Sequence, residues 1–190
     1  MKVLYFTNEN IIDWNIIPDI IKATGDEVMV HTSRVSLKLI LENEIDFIVS
    51  DRSRFLIKKD VIDYLPRKIV NLHPSYLPWN RGYHPNYWSI KEKTPFGVTL
   101  HFIDEGIDTG DIIAQSRISY SDTDTLRETY NRLRRLMVYL FQACWAEVRN
   151  CKIKGVTQDR SKGSIHYKKD FEGVYETFPH GWDTEVSLIR

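Results

Sequence analysis

The sequence has 190 residues with 26 basic and 26 acidic side chains, so its formal net charge at pH 7 is zero. That length fits one domain, residues 1–190, with a core large enough to fold without disulfides, and the balanced charge gives no reason to expect a nucleic-acid or membrane partner. The two cysteines, Cys144 and Cys151, lie far from any metal-ligand spacing, and no stretch is apolar for long enough to cross a bilayer. We therefore expect a cytoplasmic protein with reduced thiols and no metal.

The first part of the sequence alternates β-rich apolar runs with segments of helical spacing. The strands are predicted at Lys2–Phe6, Glu27–His31, Phe47–Ser50, Ile69–Leu72, Gly97–Ile103 and Asp111–Ile118. The helices between them are predicted at about Asn10–Ala23, Leu37–Leu41 and Val61–Leu65. Such alternation predicts an α/β fold with a mostly parallel central sheet flanked by helices.

A long amphipathic helix is predicted from Thr125 to about Asn150, where apolar residues recur every three or four positions. Thr125 and Glu128 have the spacing of a capping box at its start. We assign the core of the domain to residues 1–150. Residues 151–190 are polar and basic at first and aromatic later, and they predict a short C-terminal tail packed on the domain.

Candidate chemistry begins where the fourth strand opens into a loop, at Asn71-Leu72-His73-Pro74-Ser75. The two-residue period of a strand places Asn71 and His73 on the same side. An Asn amide can donate a hydrogen bond to a developing oxyanion, and an imidazole can donate one or move a proton. The pair therefore suits acyl transfer to an amine, although the same pattern also fits a loop asparagine and a partly buried histidine at a strand end.

A second segment, from His101 to Asp111, places several carboxylates in a turn beside a histidine. Three segments in this order resemble the folate-dependent formyltransferase family, namely NLHPSYLP, RGYHPN and HFIDEGIDTGDII. The resemblance covers roughly residues 1–150. It implies a Rossmann-like formyltransferase fold, N10-formyltetrahydrofolate as the formyl donor, and Asn71, His73 and Asp108 as the catalytic set.

The reaction implied by this resemblance is direct attack of a primary amine on the formyl carbon through a tetrahedral intermediate. Asn71 and a protonated His73 would donate hydrogen bonds to the oxyanion. Asp108 would hold the imidazolium and pass the amine proton towards N10 of the leaving folate. His101, on the strand before the loop, is expected to be structural.

The family also implies where the folate would bind. In relatives the loop before the catalytic aspartate holds the pteridine mainly through main-chain groups, and a turn after the third strand holds the other edge. Here that turn departs from the usual apolar, glycine-containing pattern. The implied folate contacts are Asp104, Glu105, Gly106, Ile107, Arg54, Phe55 and Leu56.

The acceptor is inferred from what the sequence lacks. After the first strand, Phe6–Asn10 has no glycine-rich phosphate loop of the kind found in glycinamide ribonucleotide transformylases, and Glu9 would repel a phosphate. The sequence also has neither the basic C-terminal domain of methionyl-tRNA formyltransferases nor the N-terminal domain of formyltetrahydrofolate deformylases. This favours the sugar N-formyltransferases, which act on amino sugars linked to UDP or dTDP. Glycinamide ribonucleotide formyltransferase, formyltetrahydrofolate hydrolase and a binding protein without catalysis stay open as alternatives.

Two further segments, 77–86 and 163–170, resemble acceptor-binding parts of sugar formyltransferases. Arg81 and His84 would neutralise a diphosphate, and Trp79 or Tyr83 would stack on a base or sugar, although these aromatic residues would equally pack the loop onto the domain. The candidate acceptor contacts are Asn8, Trp79, Asn80, Arg81, Gly82, Tyr83, His84, His166, Tyr167 and Lys168. A homodimer stays open.

Overall fold

The computed structural model describes residues 1–8 and 16–189 and has a central β-sheet flanked by helices. In this part of the chain the strands are β1 (Lys2–Phe6), β2 (Glu27–His31), β3 (Phe47–Asp51), β4 (Ile69–His73), β5 (Arg81–Gly82), β6 (Gly97–Phe102), β7 (Ile112–Arg117) and β8 (Ile165–His166). The helices are α1 (Ile16–Ala23), α2 (Leu37–Glu42), α3 (Lys59–Tyr64), α4 (Pro85–Lys91) and α5 (Leu126–Arg149). All six predicted strands are found to within one residue at either end.

The central sheet has the strand order β2-β1-β3-β4-β6-β7. The first four strands run parallel, whereas β6 is antiparallel to β4 and β7 is antiparallel to β6. This confirms the predicted α/β class with a mostly parallel sheet. The carboxyl ends of β1, β3 and β4 consequently meet at one edge, which is where open α/β sheets bind their ligands.

Each face of the sheet is covered by its own hydrophobic cluster, because successive side chains of a strand point to opposite faces. On one face Tyr5 and Val49 pack in the same cluster as Trp145 of α5. On the other face Phe6 belongs to a cluster with Val61 of α3. Coverage of both faces explains why these strands are continuous apolar runs in the sequence.

The long helix α5 has the predicted capping box at its start. The Thr125 hydroxyl accepts a hydrogen bond from the Glu128 N–H at 3.1 Å, and the Glu128 carboxylate accepts one from the Thr125 N–H at 2.8 Å. Further along, buried Arg134 donates to both oxygens of Asp51, at 2.6 and 2.8 Å, and Tyr5 donates to the same carboxylate at 2.7 Å. This two-pronged ion pair satisfies both charges in the interior and ties α5 to the end of β3.

The tail after α5 packs on the domain, as the sequence predicts. Phe171 and Phe178 are buried in the same cluster as α5. Its short 3-10 helices are Lys168–Phe171, Tyr175–Thr177, Gly181–Asp183 and Val186–Leu188. The tail also contributes β8, which pairs in parallel with β5 in a separate two-stranded sheet.

The sequence did not predict three short elements, β5, α4 and β8, because a two-residue strand has no measurable periodicity and α4 is only seven residues long. The helix predicted from about Asn10 is observed from Ile16 to Ala23 as α1. Its predicted start at Asn10, together with Glu9, lies outside the described residues.

Candidate active site

Three polar side chains form a row across the sheet near its carboxyl edge. Ser50 of β3 is the neighbour of Asn71 on β4, and Asn71 lies opposite His101 on β6. His73 is two residues beyond Asn71 on the same face of β4, and the loop after β6 brings in Asp108. The sheet register therefore brings together side chains that are distant in the sequence, such as Asn71 and His101, which are thirty positions apart.

Asp108 is at the centre of this group. One carboxylate oxygen, Oδ2, lies 3.5 Å from Nδ1 of His73 and accepts a hydrogen bond from the Gly82 N–H at 2.8 Å. The other, Oδ1, accepts a hydrogen bond from the Asn71 amide at 3.3 Å and lies 3.6 Å from Nε2 of His101. Burial alone would raise the pKa of Asp108, but the positive charge that His73 and His101 carry when protonated, together with the Gly82 N–H, outweighs burial and holds the pKa well below its usual range. The carboxylate is ionised at neutral pH.

His73 is buried, with 4% of its surface exposed. Its Nε2 lies 3.1 Å from the carbonyl oxygen of Asn80, so this nitrogen carries a hydrogen and donates it. Burial lowers the pKa of His73, and the adjacent Asp108 carboxylate offsets only part of that shift. Burial favours the neutral ring, Nε2 is occupied by the Asn80 carbonyl and Nδ1 faces the Asp108 carboxylate. The predicted donation from a protonated His73 to an oxyanion stays a prediction.

His101 fixes the orientation of Asn71. Its Nδ1 lies 2.7 Å from the carbonyl oxygen of Phe102, so Nδ1 carries the hydrogen and Nε2 is free to accept. Nε2 accepts from the Asn71 amide at 3.2 Å. His101, which was expected to be structural, lies in direct contact with Asn71. The antiparallel register of β4 and β6 creates this contact, and no local pattern in the sequence reports it.

A cleft of about 380 Å³ opens beside this group. Asn71, His101 and Asp108 line it, while His73 lies behind them. Six of the seven predicted folate contacts also line the cleft, namely Phe55, Leu56, Asp104, Glu105, Gly106 and Ile107. The seventh, Arg54, is exposed and outside the lining.

The lining suits a flat ring system with a polar edge. Leu56 is 72% exposed and with Phe55 gives one wall an apolar surface. The opposite wall is the loop from Ile103 to Thr109, whose main-chain groups are available to a heterocycle. Asp104 stiffens this loop because its carboxylate accepts from the Gly106 N–H at 3.0 Å and from the Thr109 hydroxyl at 2.5 Å.

The family model for formyl transferase matches residues 30–143, more than half of the chain. The chain belongs to the formyl transferase family. This confirms the resemblance on which the predicted fold and catalytic set depend.

Among solved structures, this formyl transferase is similar to the formyltransferase PseJ from Anoxybacillus kamchatkensis, with 39% identity and a TM-score of 0.92. The match covers 100% of this chain and 97% of that one, which was solved in complex with UDP-4,6-dideoxy-4-formamido-L-AltNAc and tetrahydrofolate. The predicted likeness to sugar N-formyltransferases is thereby confirmed.

Two groups of curated relatives match over shorter stretches. The dTDP-4-amino-4,6-dideoxyglucose formyltransferase of Mycobacterium tuberculosis is 33% identical over 105 residues, which is 55% of this chain and 44% of that protein. The methionyl-tRNA formyltransferase of Finegoldia magna is 37% identical over 89 residues, or 46% of this chain and 29% of that protein. This formyl transferase thus spans less than half the length of the curated relatives it matches.

The loop and tail segments with predicted acceptor contacts meet at the same cleft. β5 and β8 pair so that Gly82 is the neighbour of His166. A Cβ at Gly82 would lie 2.3 Å from the carbonyl oxygen of His166, and the φ angle of Gly82 is +89°, so only glycine fits this crossing. The predicted contacts that line the cleft are Gly82, Tyr83, His166, Tyr167 and Lys168.

Two predicted acceptor contacts have other roles in this formyl transferase. Asn80 is fully buried, and its side-chain amide donates to Ser89 and Thr94 while its side-chain oxygen accepts from Ser164. The ring of His84 lies 4.0 Å from that of Phe171. Both side chains are committed to holding the loop and the tail together.

The predicted role of His84 in neutralising a diphosphate stays a prediction. Burial lowers the pKa of this side chain to about 4, so the imidazole is uncharged at pH 7. Asn8, Trp79 and Arg81 lie outside the cleft lining: the Asn8 amide donates to the Arg52 carbonyl at 3.0 Å, and Arg81 Nε contacts the Ser164 carbonyl at 3.4 Å.

No helix within residues 1–8 and 16–189 is long and apolar enough to span a membrane. In the same residues, three or more His, Cys, Asp or Glu side chains are nowhere grouped as metal ligands would be.

Proposed function

We propose that this chain is a folate-dependent N-formyltransferase that transfers the formyl group of N10-formyltetrahydrofolate to the primary amine of a nucleotide-linked amino sugar. The observation that carries the proposal is the ionised Asp108, in contact with Asn71 and His73 at the wall of a cleft that also contains the tail residues. The compounds bound to the PseJ structure support it, since a UDP-linked formamido sugar and tetrahydrofolate are what such a transfer would produce. We accordingly propose a UDP-linked 4-amino-4,6-dideoxy sugar as the first candidate acceptor.

Proton removal follows from the pair formed by His73 and Asp108. As the amine adds to the formyl carbon in a tetrahedral intermediate, its nitrogen becomes positively charged and must lose a proton. Nδ1 of neutral His73 and Oδ2 of Asp108 are both acceptors and lie 3.5 Å apart, so a proton delivered between them is shared by both. As the intermediate collapses, the bond between the formyl carbon and N10 would break and the shared proton would pass to N10, so that tetrahydrofolate leaves as a neutral amine.

Oxyanion stabilisation falls to Asn71. Its amide nitrogen lines the cleft and makes contacts of 3.2 and 3.3 Å with His101 and Asp108, at the long end of normal hydrogen bonds. A small rotation would redirect one N–H towards a negatively charged oxygen, which is a stronger partner than either present acceptor. His101 would hold the amide in place through the other N–H.

The tail has a direct part in this proposal. His166, Tyr167 and Lys168 line the cleft together with Gly82 and the folate loop. We therefore propose that residues 1–190 act as one catalytic domain in which the tail forms the acceptor side of the site. Lys168 supplies a positive charge there for an anionic acceptor.

One assay tests both donor and acceptor. The protein is incubated with N10-formyltetrahydrofolate and a panel of UDP- and dTDP-linked 3-amino and 4-amino sugars, with glycinamide ribonucleotide included, and the products are identified by mass. Tetrahydrofolate release that requires an amino sugar, with a matching formylated sugar, supports the proposal. Release without any acceptor would indicate a hydrolase, and formylation of glycinamide ribonucleotide alone would refute the sugar assignment.

A further inference from the structure

Asp108 has an unusual backbone conformation for its residue type. Its φ angle is +51°, in the left-handed region that non-glycine residues rarely adopt. The residue occupies a loop, so no strand or helix pairing holds it there. Because the direction of a side chain follows from φ and ψ, something else must maintain this conformation if the carboxylate is to face His73 and Asn71.

The tail residue Gln158 makes the contacts that do so. Its side-chain amide donates one hydrogen bond to the carbonyl oxygen of Asp108 at 3.0 Å and another to that of Gly110 at 2.7 Å. Gln158 is 6% exposed and lies outside the lining of the cleft. One NH2 group thus holds the carbonyl groups of Asp108 and Gly110, on either side of Thr109. This restricts the rotation of both peptide planes.

Gln158 is itself held in register with that loop. Val156 exchanges two backbone hydrogen bonds of 2.8 Å with Ile112, directly after the loop. The Thr157 hydroxyl donates to the Asp111 carboxylate at 3.0 Å. The tail therefore docks alongside the loop residue by residue, and Gln158 comes opposite Asp108 and Gly110.

Within residues 1–8 and 16–189 the side-chain oxygen of Gln158 lacks a partner, which indicates that this residue acts through its amide hydrogens. Oε1 is buried and has no hydrogen-bond partner among the described residues. A buried acceptor without a partner is destabilising, and an apolar residue of similar size would avoid that cost. The part of the glutamine side chain that makes hydrogen bonds is therefore its NH2 group, whose partners are the carbonyl oxygens of Asp108 and Gly110.

We propose that Gln158 is a positioning residue of the formyl transfer reaction: it holds Asp108 in the left-handed conformation from which the carboxylate reaches His73, Asn71 and the Gly82 N–H. The inference rests on the proposed function. Gln158 does not line the cleft, so its effect on turnover should pass through the loop segment from Asp108 to Gly110 that it holds. It also assigns the tail a second role, at the opposite side of the site from β8.

The test is a double-mutant cycle with a matched control. Gln158→Leu removes the two donors at similar volume, and Thr157→Val removes a neighbouring tail-to-loop hydrogen bond that does not involve Asp108. We expect Gln158→Leu to lower kcat about 10- to 100-fold with little change in KM for either substrate, and Thr157→Val to leave kcat within about twofold. In an Asp108→Asn background, where residual turnover is measured by mass after long incubation, Gln158→Leu should have no further effect.

Several results would overturn the proposal. They are an unchanged kcat in Gln158→Leu, an effect mainly on KM, and an equal loss of kcat in the Asp108→Asn background, which would indicate general destabilisation. The last alternative is also checked by comparing the Tm of each variant. If the wild type releases tetrahydrofolate without an amino sugar, the proposed acceptor chemistry fails while the same cycle, run on that rate, still tests Gln158.

A second variant covers the case in which Gln158→Leu fails to fold. In Gln158→Glu the protonated carboxyl can donate one hydrogen bond, whereas the ionised form places a negative charge against two carbonyl oxygens. We expect the ratio of variant to wild-type kcat to fall as pH rises through the pKa of the introduced carboxyl. A ratio that is flat between pH 5 and about pH 8 would contradict the positioning role.

Discussion

Asn71 and His101 face each other across antiparallel strands, with the amide nitrogen of Asn71 3.2 Å from Nε2 of His101. The tautomer of His101 is set on its other side by the Phe102 carbonyl, which accepts from Nδ1 at 2.7 Å. Nε2 must therefore accept, and the Asn71 amide must present its nitrogen rather than its oxygen to this side of the cleft. The orientation of the proposed oxyanion donor is thus determined by His101.

Replacing His101 by alanine should lower kcat by about 10- to 100-fold, because the Asn71 amide loses the acceptor that orients it. Folate affinity should change little, since most of the lining is untouched. The measurement is kcat and KM for both substrates, with His31→Ala on the remote edge strand β2 as the control. A normal kcat in His101→Ala would show that Asn71 needs no such support.

Asp108→Asn should retain folate binding and lose turnover by about 100-fold or more, because the carboxamide keeps an oxygen for the Gly82 N–H but loses the charge that attracts a proton. Asparagine also tolerates the left-handed conformation of this position. Calorimetry with a stable folate analogue reports binding, and mass detection of the product reports turnover. The control is Asp111→Asn, which changes a neighbouring loop carboxylate. Near-normal turnover in Asp108→Asn would remove Asp108 from the mechanism.

The pH dependence of kcat/KM should reflect a neutral His73. Its pKa lies below the ordinary value of 6.5 because the ring is buried, so the proton-accepting form prevails down to mildly acidic pH. We expect the acidic limb of the profile to lie below pH 6.5 and to vanish in His73→Asn. Ionisation of the acceptor's amine could also cause an acidic limb, but that limb would lie at a different pH for each acceptor. The profile is therefore measured with two amino sugars. An acidic limb centred above pH 6.5 in both would contradict a neutral His73.

The sheet and the candidate site residues were accessible from the sequence for physical reasons. Strands buried on both faces are continuous apolar runs, and the capping box at Thr125 is a local pattern that acts over four residues. Asn71 and Asp108 were found because their segments resemble a known family. In each case the information lies within a short stretch of chain.

What the sequence could not provide depends on contacts between distant segments. The lowered pKa of His73 follows from its burial behind Asn71, and the neutrality of His84 follows from the tail aromatic residue Phe171 against its ring. Gln158 reaches Asp108 across fifty positions. Burial and register of this kind appear only when the chain is folded, so local patterns carried no signal for them.

His84 should make the protein less stable in acid. Its folded pKa of about 4 lies below the ordinary 6.5, so the unfolded chain binds a proton first as the pH falls. The resulting stability is present above pH 6.5 and is lost as the pH falls towards 4. The loss is at most about 3.5 kcal/mol at about 1.4 kcal/mol per pKa unit, and solvent screening reduces it because His84 is only partly buried.

The measurement is the free energy of unfolding in urea between pH 7 and pH 4, for the wild type and for His84→Asn. Asparagine tolerates the left-handed φ of +52° at this position and does not titrate. The variant should be less stable overall, because it loses the contact with Phe171, but its stability should vary less with pH. His180→Asn, at an exposed site, is the control. An equally steep pH dependence in His84→Asn would show that other groups cause it.

Gly82→Ala should disrupt the site from the side of the loop. The added Cβ would lie 2.3 Å from the His166 carbonyl, so β5 and β8 would have to separate, and the Gly82 N–H that donates to Asp108 would move with them. We expect turnover to fall by about 100-fold, as displacement of a catalytic group by about 1 Å commonly produces.

Gly173→Ala is a matched control, because Gly173 also has a positive φ, +76°, but nothing lies within 4 Å of the position of an added Cβ. Both variants carry the backbone strain of about 1 kcal/mol, so only their difference reports the β5–β8 crossing. Equal Tm and equal kcat in the two variants would mean that the tail does not need to approach the loop for catalysis.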